Sequence, residues 1–382
     1  MNLVAIAPLA EQEPYRQLVA QHGSPLMVLD CDTLRDRYRE LSRALPRVRL
    51  YFAIKSLSEP AVLKTFMAEG SGFDVATTGE LELLRSVGAE RSDVIHTHPI
   101  KRDQDIRDGL AFGCTTFVAD NLDELRKFVP YKDQAEILLR VSFRSLEATI
   151  DLSRKFGCSP ERVPELLADA SDLGLKICGL SFHVGSQSLT AAAHVDAINV
   201  CRTFFEDKSV KGTGHLRILD IGGGLPVDYG RQQMDLVAFC EPINEALDTY
   251  PDGVRFYAEP GRVLSAPCMI SISSIVGRAE RAGLWWYYMD DGVYGAYSGQ
   301  IFDHAAYPMT VFSDSDEVNP SVLAGPTCDV IDIISELAML PELGMGDIVV
   351  GEMMGAYSIV TACEFNSIPK PKLVVLNGGH EA

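Results

Sequence analysis

The sequence lacks the signatures that mark zinc proteins, disulfide-rich proteins and membrane proteins. No Cys-x-x-Cys pair occurs among its 382 residues, and its nine cysteines are scattered and odd in number. A structural zinc site or a disulfide framework is therefore not expected, whereas a reducing cytosol is. No apolar run approaches the roughly 18 residues of a transmembrane helix. The N-terminal segment has neither the basic start nor the long apolar core of a signal peptide, so we expect a cytoplasmic protein.

Positive charge is also scarce. The chain has 34 Lys and Arg residues against 53 Asp and Glu residues, which gives a formal net charge of −19. Nucleic acids and anionic membranes bind basic surfaces, so neither is expected as a partner. The excess acid is compatible with a cationic small substrate, although an acidic surface that only confers solubility is the more common cause of such a charge.

What the sequence does contain is a long alternation of strand-like and helix-like segments. Short β-forming runs lie at 47–54, 72–76, 93–96, 115–118, 136–141, 179–183, 217–221 and 254–259. Helix-like segments separate them, for example at 59–69, 78–87, 104–112, 163–173 and 191–205. Such alternation predicts βα units with a parallel sheet. About eight units predict a closed (β/α)8 barrel.

The pattern changes after Arg262. Strand-like segments at 269–277, 285–290, 347–350 and 371–376 follow one another without regular helices, and prolines and glycines punctuate them. This predicts a mostly antiparallel β domain at the C-terminus. We place the barrel at 30–265 and the β domain at 266–382, with about 1–29 joining the β domain.

A lysine at the end of an apolar strand is the first candidate for chemistry. Lys55 follows the apolar run in YFAIKS, and the carboxyl ends of barrel strands face the active site. A partly desolvated amine there can form a Schiff base with an aldehyde cofactor. The alternative is a lysine whose stem packs on apolar surface while its charge reaches water.

Three glycines follow another predicted strand in DIGGGLP. Without side chains, Gly222, Gly223 and Gly224 allow their backbone N–H groups to approach an anion closely. A simple tight turn would use the same residues. The segment lacks the spacing of a dinucleotide-binding loop, so a Rossmann site is a poor match.

Two further motifs, EPGR and HVGSQ, also follow apolar strands. Arg262 beside Gly261 suits bidentate contacts to a phosphate, and the Glu259 carboxylate can keep a pyridinium nitrogen protonated, which makes the ring an electron sink. In the second motif His183 can stack on a flat cofactor, and Ser186 can donate to phosphate. The alternatives are a salt bridge from Glu259 to Arg262 or to another neighbour, and a purely structural histidine.

The C-terminal region contributes a candidate thiol in GPTCDVID. Cys328 follows a Gly-Pro turn, which indicates a loop, and a loop thiol can donate a proton. The other eight cysteines are expected to be small buried hydrophobic residues. Asp329 either binds substrate or caps a helical turn at 330–335. Asp303 lies near the end of an apolar segment, IFDHAAYP.

Taken in order, these motifs resemble one family. From about residue 20 onward, YFAIKS, GFDVAT, FHVGSQS, LDIGGGLP, AEPGR, DDGVYGAYSGQIFDH, GPTCD and GAYSIV are similar to the landmarks of the fold type III pyridoxal 5'-phosphate (PLP) decarboxylases, specifically bacterial ornithine/lysine decarboxylases. The resemblance implies an alanine-racemase-like (β/α)8 barrel with a C-terminal mostly antiparallel β domain. It also implies PLP as the cofactor and a homodimer with shared active sites.

The resemblance assigns a role to each matching residue. Lys55 resembles the Schiff-base lysine, His183 the ring-stacking histidine, Glu259 the partner of the pyridine nitrogen, and Cys328 the proton donor supplied across the dimer. The phosphate binders would be Ser186, Gly224, Arg262 and Tyr357, supported by Gly222, Gly223 and Gly261. Residues around Lys55 and the cofactor would be Asp74, Glu80 and Arg140. Substrate contacts would be Phe302, Asp303 and Asp329, and an inter-subunit salt bridge would join Lys155 to Asp332.

The function implied is PLP-dependent decarboxylation of a basic L-amino acid, ornithine or lysine, to the diamine and CO2. Two departures from the family concern substrate choice: His98 stands in a motif that usually has Asn, and Val330 stands where a smaller residue is usual. The alternatives are decarboxylation of diaminopimelate or of a modified or carrier-linked amino acid, amino-acid racemisation, and a non-catalytic regulator like the antizyme inhibitors.

Overall fold

The computed structural model describes residues 4–89, 93–144, 148–150, 154–230 and 234–379. They fall into two compact units. One unit contains the described residues of 35–227 and 234–264, and the other contains those of 4–34, 228–230 and 265–379. The sequence-based domain limits at residues 30 and 265 stay a prediction.

The first unit is built on a closed barrel of eight strands. They are Val48–Ala53, Gly72–Val75, Val94–His96, Thr116–Ala119, Glu136–Val141, Ile177–Phe182, Ile218–Asp220 and Arg255–Ala258. All neighbouring pairs run parallel, and the last strand closes on the first with Phe256 opposite Val48. The predicted (β/α)8 barrel is confirmed, with strand ends within one or two residues of those expected.

Helices separate the barrel strands. Those in the barrel region are Cys31–Ala44, Pro60–Ala68, Thr78–Ser86, Asp103–Phe112, Leu122–Lys127, Val163–Asp172, Ala192–Glu206, Leu236–Asp248 and Arg262–Ser265. Side chains of Thr77, Asn121 and Asp235 accept backbone N–H bonds from the first turns of their helices. Such caps fix the residue at which a helix begins. Two short strands, Ala148–Ile150 and Ser186–Ser188, pair antiparallel.

Inward-facing side chains fill the barrel. The cluster consists of Tyr51, Ile95, Val118, Leu138, Cys178, Ile218 and Tyr257, all of them buried. Successive strand residues point to opposite faces, so the residue two positions after each of these core residues again points into the barrel. It lies one layer nearer to the mouth at the carboxyl ends of the strands. The packed core therefore forms the floor of whatever site lies at the strand ends.

The second unit is a nine-stranded sheet. Its strands are Val4–Ala7, Leu26–Asp30, Met269–Arg281, Leu284–Met289, Met309–Phe312, Asn319–Ala324, Ile333–Leu340, Ile348–Gly351 and Lys372–Leu376. Two helices, Glu13–His22 and Gly299–Phe302, accompany them. Five pairings are antiparallel and three are parallel, so the predicted mostly antiparallel domain is confirmed.

Two expectations are corrected by this unit. A helical turn at 330–335 is wrong, because a strand begins at Ile333; the Asp329 carboxylate instead accepts an N–H bond from Ile331 at 3.2 Å. The expectation that only Cys328 is exposed is also wrong, because Cys363 is exposed as well while the other seven are buried. Within the described ranges, no helix has the length and hydrophobicity needed to span a bilayer.

A glycine in the barrel wall generates a prediction on stability. A Cβ on Gly179 would lie 2.2 Å from the Ile218 carbonyl oxygen and 2.8 Å from Leu138 Cδ2. The Ile218 carbonyl belongs to the backbone of a neighbouring strand and cannot easily move away from an added methyl group. Gly179→Ala should therefore destabilise the protein by about 1–3 kcal/mol, measured as a lower melting temperature. Gly214→Ala is the matched control, since a Cβ there meets nothing within 4 Å. Equal melting temperatures for the two variants would contradict this packing.

Candidate active site

Lys55 lies just beyond a barrel strand, as predicted. The strand Val48–Ala53 ends, and a single 3-10 turn, Ile54–Ser56, carries the lysine. Its Nζ is 2.7 Å from Oδ2 of the buried Asp74, and Thr97 donates its hydroxyl to the other oxygen of that carboxylate. The Lys55 side chain is nevertheless 41% exposed. The site therefore contains an amine that is held in position yet remains accessible.

A second lysine near the barrel mouth is occupied structurally. The buried Lys101 donates to three backbone carbonyls, including that of Val118, and its Nζ forms an ion pair with Glu124 at 3.0 Å. Burial lowers the pKa of Lys101 to about 8. Because its ammonium hydrogens are already engaged, Lys101 is a poor nucleophile compared with Lys55.

The three glycines form a loop that fits tightly against a neighbouring strand end. Gly222 and Gly224 have φ values of 67° and 94°, a region that favours glycine. A Cβ on Gly222 would lie 2.1 Å from the Phe182 carbonyl oxygen, and one on Gly224 would lie 2.2 Å from that of Gly185. Larger residues are excluded at both positions.

Two backbone donors of this loop are left available. The carbonyls of Gly222, Gly223 and Gly224 accept hydrogen bonds from, respectively, Glu259 N, His194 Nε2 and Ser188 N. The amides of Gly223 and Gly224, by contrast, have no acceptor among the described residues. Backbone amides seldom stay unpaired, and a pair of them in a glycine loop is a typical anion cradle.

The other predicted phosphate binders of this unit lie together. Arg262 is buried and donates from Nη2 to the Ser186 hydroxyl at 3.3 Å. The bond from Ser188 N–H to Gly224 keeps the strand Ser186–Ser188 beside the glycine loop. Glu259 and Arg262 form no ion pair within the described structure, contrary to the alternative interpretation of EPGR. A hydroxyl, a guanidinium and two amides therefore converge, which suits a phosphate.

The orientation of His183 is fixed by its own backbone. Its Nδ1 accepts the N–H of Gly185 at 3.0 Å, so Nε2 carries the proton. Burial, reinforced by the charges of Arg140 and Lys55, lowers the pKa of His183 well below its usual value. The ring is therefore neutral, and its Nε2 is 3.1 Å from where a Cβ on Gly223 would stand. A flat neutral ring beside the glycine loop fits the predicted stacking role.

Glu259 is a buried carboxyl that lies near two other carboxyls. Burial raises the pKa of Glu259 well above its usual value, and the nearby carboxylates of Asp220 and Asp74 raise it further, against the effects of Lys55 and Arg140. Burial also raises the pKa of Asp220, to about 6. A protonated ring nitrogen beside Glu259 would supply a further positive charge, so the carboxyl fits the predicted pyridinium partner.

The remaining predicted neighbours of Lys55 are placed by the barrel. Arg140 lies on the strand Glu136–Val141, half-buried, with its guanidinium 5.5 Å from the centre of the Phe156 ring. Glu80 accepts the Ala76 N–H at 2.5 Å at the start of its helix, and burial raises its pKa. The first unit thus holds the predicted cofactor residues, with the exception of Tyr357.

Five predicted site residues belong to the second unit: Phe302, Asp303, Cys328, Asp329 and Tyr357. Tyr357 lies in a run of turns with a φ of 53°. Phe302, which is 64% exposed, ends the helix Gly299–Phe302, and Asp303 caps that helix through its N–H. Cys328 is exposed in its loop, as predicted. The structure therefore divides the predicted residues between the two units.

A tyrosine that sequence reasoning missed orients Asp329. The Tyr294 hydroxyl donates to the Asp329 carboxylate at 2.5 Å, which lowers the pKa of that carboxyl. The Tyr294 ring in turn stacks on Phe365 with centroids 4.5 Å apart. Tyr294 lies in the quoted motif DDGVYGAYSGQIFDH, but nothing in the motif indicates a partner 35 residues away. Asp329 is therefore held as an ionised group.

Two other residues of this loop, Asp332 and Val330, carry predictions that concern the partner subunit and the substrate pocket. The predicted salt-bridge residue Asp332 is buried and accepts bonds from Val293 N and from the backbone and hydroxyl of Thr327. Its carboxylate is thus already well satisfied inside its own chain, and a bridge to Lys155 stays a prediction. Val330 is 82% exposed in the single chain, so its predicted effect on the pocket is also untested.

The family of the chain follows from comparison with known proteins. Residues 31–266 match the family model for the pyridoxal binding domain of pyridoxal-dependent decarboxylases. This match spans more than half of the sequence. The chain belongs to the pyridoxal-dependent decarboxylases, and its cofactor is pyridoxal 5'-phosphate, as the sequence predicted.

Particular relatives cover nearly the whole chain. The lysine/ornithine decarboxylase of Selenomonas ruminantium is 36% identical over 359 residues, which are 94% of this chain and 91% of the relative. The crystal structure of lysine/ornithine decarboxylase from Vibrio vulnificus complexed with cadaverine has 47% identity and a TM-score of 0.91, and the match covers 97% of this chain and 100% of that one. Antizyme inhibitor 2 of Xenopus laevis is 34% identical, over 88% of this chain and 77% of the relative.

The difference between the two lysines yields a prediction. Lys55→Ala should abolish covalent capture of the cofactor and lower turnover by more than roughly a thousandfold, because the ammonium of Lys101, the other lysine described near the barrel mouth, is already engaged. Borohydride reduction followed by peptide mass mapping measures the capture. Lys64→Ala, at an exposed position on the helix Pro60–Ala68, is the control and should behave like wild type. Cofactor trapped on Lys101 instead would contradict the assignment.

Proposed function

We propose that this chain decarboxylates a basic L-amino acid, ornithine or lysine, and releases the diamine and CO2. The observation that carries the proposal is the convergence at one barrel mouth of an accessible amine (Lys55), a buried carboxyl (Glu259) and the two loop amides (Gly223 and Gly224) for which the described residues provide no acceptor. An aldehyde, a ring nitrogen and a phosphate are the groups that this set would hold, and PLP has all three.

When bound, PLP supplies an electron sink for the electron pair left by the departing carboxylate. The protein residues supply position and protons. Lys55 would hold the aldehyde carbon, and its amine would help to release the diamine. Glu259 would hold the proton on the ring nitrogen, and His183 would cover a face of the ring. Cys328 would donate a proton to Cα of the substrate.

The cofactor phosphate would be held by a charged guanidinium together with neutral hydrogen-bond donors. The proposed ligands are Ser186, Gly224, Arg262 and Tyr357, with Gly222, Gly223 and Gly261 shaping the loop. Support comes from the bond between Arg262 and Ser186 and from the loop amides that lack an acceptor in the described part of the chain. Asp74, Arg140 and Glu80 would complete the surroundings of Lys55.

The distal ammonium of the substrate would bind to Asp329 and Asp303, beside Phe302. Tyr294 supports this role, because it keeps the Asp329 carboxylate ionised and oriented. A charged carboxylate matches an ammonium group far better than a neutral side chain. The relatives named lysine/ornithine decarboxylases, one of them bound to cadaverine, favour a diamino acid over other substrates.

We further propose a homodimer in which Cys328 and Asp329 of one subunit complete the barrel mouth of its partner. The loop that carries them exposes Val330 and Ile331, and the helix Gly299–Phe302 of the same unit exposes Ile301 and Phe302, all apolar side chains that a partner would cover. Exposed apolar patches of this kind are typical of protein interfaces. A reducing cytosol is the proposed compartment, supported by nine cysteines of which none forms a disulfide in the described structure.

Two rival functions are weaker. A racemase needs acid/base groups on both faces of the ring, normally a lysine and a tyrosine, whereas the GPTCD loop provides a thiol. A purely regulatory protein, as the name of the relative antizyme inhibitor 2 implies, has no need for the Lys55–Asp74 pair or for an anion cradle. Both features favour catalysis.

Shared active sites can be tested with mixed dimers. Lys55→Ala and Cys328→Ala chains, each impaired alone, form hybrid dimers in which one of the two sites receives both intact residues. Random 1:1 mixing should therefore restore about a quarter of the wild-type rate, because half of the dimers are hybrids with a single good site. Mixing two Lys55→Ala preparations is the control. Purified hybrids without any recovery would argue for sites formed within one chain.

Substrate specificity tests the proposed function itself. Wild-type protein should release CO2 and the diamine from lysine or ornithine and should act poorly on norleucine, which lacks the distal charge. Asp329→Ala should lower kcat/KM for the diamino acid roughly ten- to a hundredfold, because a charge-assisted hydrogen bond contributes about 1.5–3 kcal/mol.

The control variant is Asp316→Ala, an exposed aspartate of the same unit, which should retain wild-type specificity. Enantiomer exchange without CO2 would establish a racemase instead. An unchanged preference for lysine or ornithine over norleucine in Asp329→Ala would remove Asp329 from the substrate site.

A further inference from the structure

A buried histidine outside every motif contacts the glycine loop. His194 lies on the helix Ala192–Glu206 and is fully buried, and its Nε2 is 3.1 Å from the Gly223 carbonyl oxygen. A carbonyl can only accept, so Nε2 carries the ring proton. The other ring nitrogen has no hydrogen-bond partner within the described residues. His194 therefore has one donor, and that donor is directed at the loop.

The surroundings keep this imidazole neutral and fixed. Phe182 and Phe239 lie edge-on to it, with ring centroids at 6.5 Å and 6.2 Å. Burial lowers the pKa of His194 to about 4, so protonation does not occur at physiological pH. A neutral ring packed between aromatic groups has little freedom to turn away from Gly223.

The geometry of the peptide bond links this contact to the cradle. In a planar trans peptide the C=O of one residue and the N–H of the next point in opposite directions. The Gly223 carbonyl and the Gly224 amide belong to one such plane. When His194 holds the carbonyl, the Gly224 N–H is aimed to the opposite side. Glycine peptides rotate easily, so this plane needs a fixed partner.

We propose that His194 is a positioning residue for the cofactor phosphate, since its Nε2–H sets the orientation of the Gly223–Gly224 peptide and thereby aims the Gly224 amide at the phosphate. This inference rests on the proposed phosphate site. The competing role is a packing role, in which His194 only fills space between Phe182 and Phe239. The two roles differ in one respect: only the first acts through the phosphate group.

The experiment compares binding of PLP with binding of pyridoxal, which lacks the phosphate, to cofactor-free protein. Absorbance and fluorescence titrations give both dissociation constants, and the 31P NMR signal of bound PLP reports directly on the phosphate. His194→Phe keeps a flat ring but removes the donor. It should weaken PLP binding roughly 3- to 10-fold, the range expected for one neutral hydrogen bond. Binding of pyridoxal should stay within about twofold of wild type.

A conservative variant and a matched control complete the series. His194→Gln places an amide N–H near the same carbonyl and should restore PLP affinity and the 31P signal. His96→Phe is the control, because His96 is also buried, has no hydrogen-bond partner among the described residues and packs on Phe117 at 5.8 Å. It should leave the ratio of the two affinities unchanged. If His194→Phe does not fold, His194→Asn, whose amide is too short to reach Gly223, replaces it.

The outcomes separate the inference from the proposed phosphate site. Ser186→Ala should weaken PLP binding selectively if the phosphate site is correct. Suppose that Ser186→Ala does so, but that His194→Phe weakens the binding of PLP and of pyridoxal equally or leaves both unchanged. His194 then has only a packing role and the inference fails. Failure of His194→Gln to restore affinity also overturns it. If wild type itself shows no preference for PLP over pyridoxal, the phosphate site is wrong and the role of His194 falls with it.

Discussion

The candidate site depends on how closely the glycine loop approaches the ends of the neighbouring barrel strands. Side chains at Gly222 or Gly224 would overlap the carbonyls of Phe182 and Gly185. The same close approach brings Ser188 into contact with the loop and so holds the strand Ser186–Ser188 against it. The carbonyls of the loop accept hydrogen bonds from protein donors. The amides of Gly223 and Gly224, which have no acceptor in the described part of the chain, would serve the phosphate. Closure of the parallel barrel makes this contact possible, since it brings the carboxyl ends of all eight strands to one rim.

Electrostatics at this rim are unbalanced in a way that suits a cationic ring. Asp74, Asp220 and Glu259 are buried carboxyls, and the nearby positive groups are Lys55 and Arg140. Lys55 already pairs with Asp74. Burial and the neighbouring carboxylates therefore raise the pKa of Glu259 well above its usual value, because a buried carboxylate is costly. A pyridinium nitrogen would offset that cost.

Strand-end chemistry was predictable, and contacts between distant segments were not. A polar or glycine residue that ends an apolar strand can be placed at one edge of the sheet from the sequence alone. Lys55, Gly224 and Glu259 stand out for this reason. His194 and Tyr294 escape such reasoning, since each acts on a residue about 30 positions away through an orientation that only the fold fixes. The strands Met309–Phe312 and Asn319–Ala324 were missed because Pro308 and Pro320 interrupt them at their starts. Cys363 looked like the buried cysteines because residue type alone carries no information on depth.

A neutral histidine at the glycine loop is consistent with the different roles of the protein groups that would bind the phosphate. A buried cation in place of His194 would have a large desolvation cost, because the neighbours described around the ring are Phe182, Phe239 and the Gly223 carbonyl, and none of them is a carboxylate. Attraction for the anion can come instead from Arg262, whose guanidinium already meets Ser186 at the edge of the loop. Direction then comes from groups that carry no net charge: the Ser186 hydroxyl and the amides of the loop. A neutral donor behind the loop fixes direction without competing for the anion, so charge and orientation are supplied by different residues.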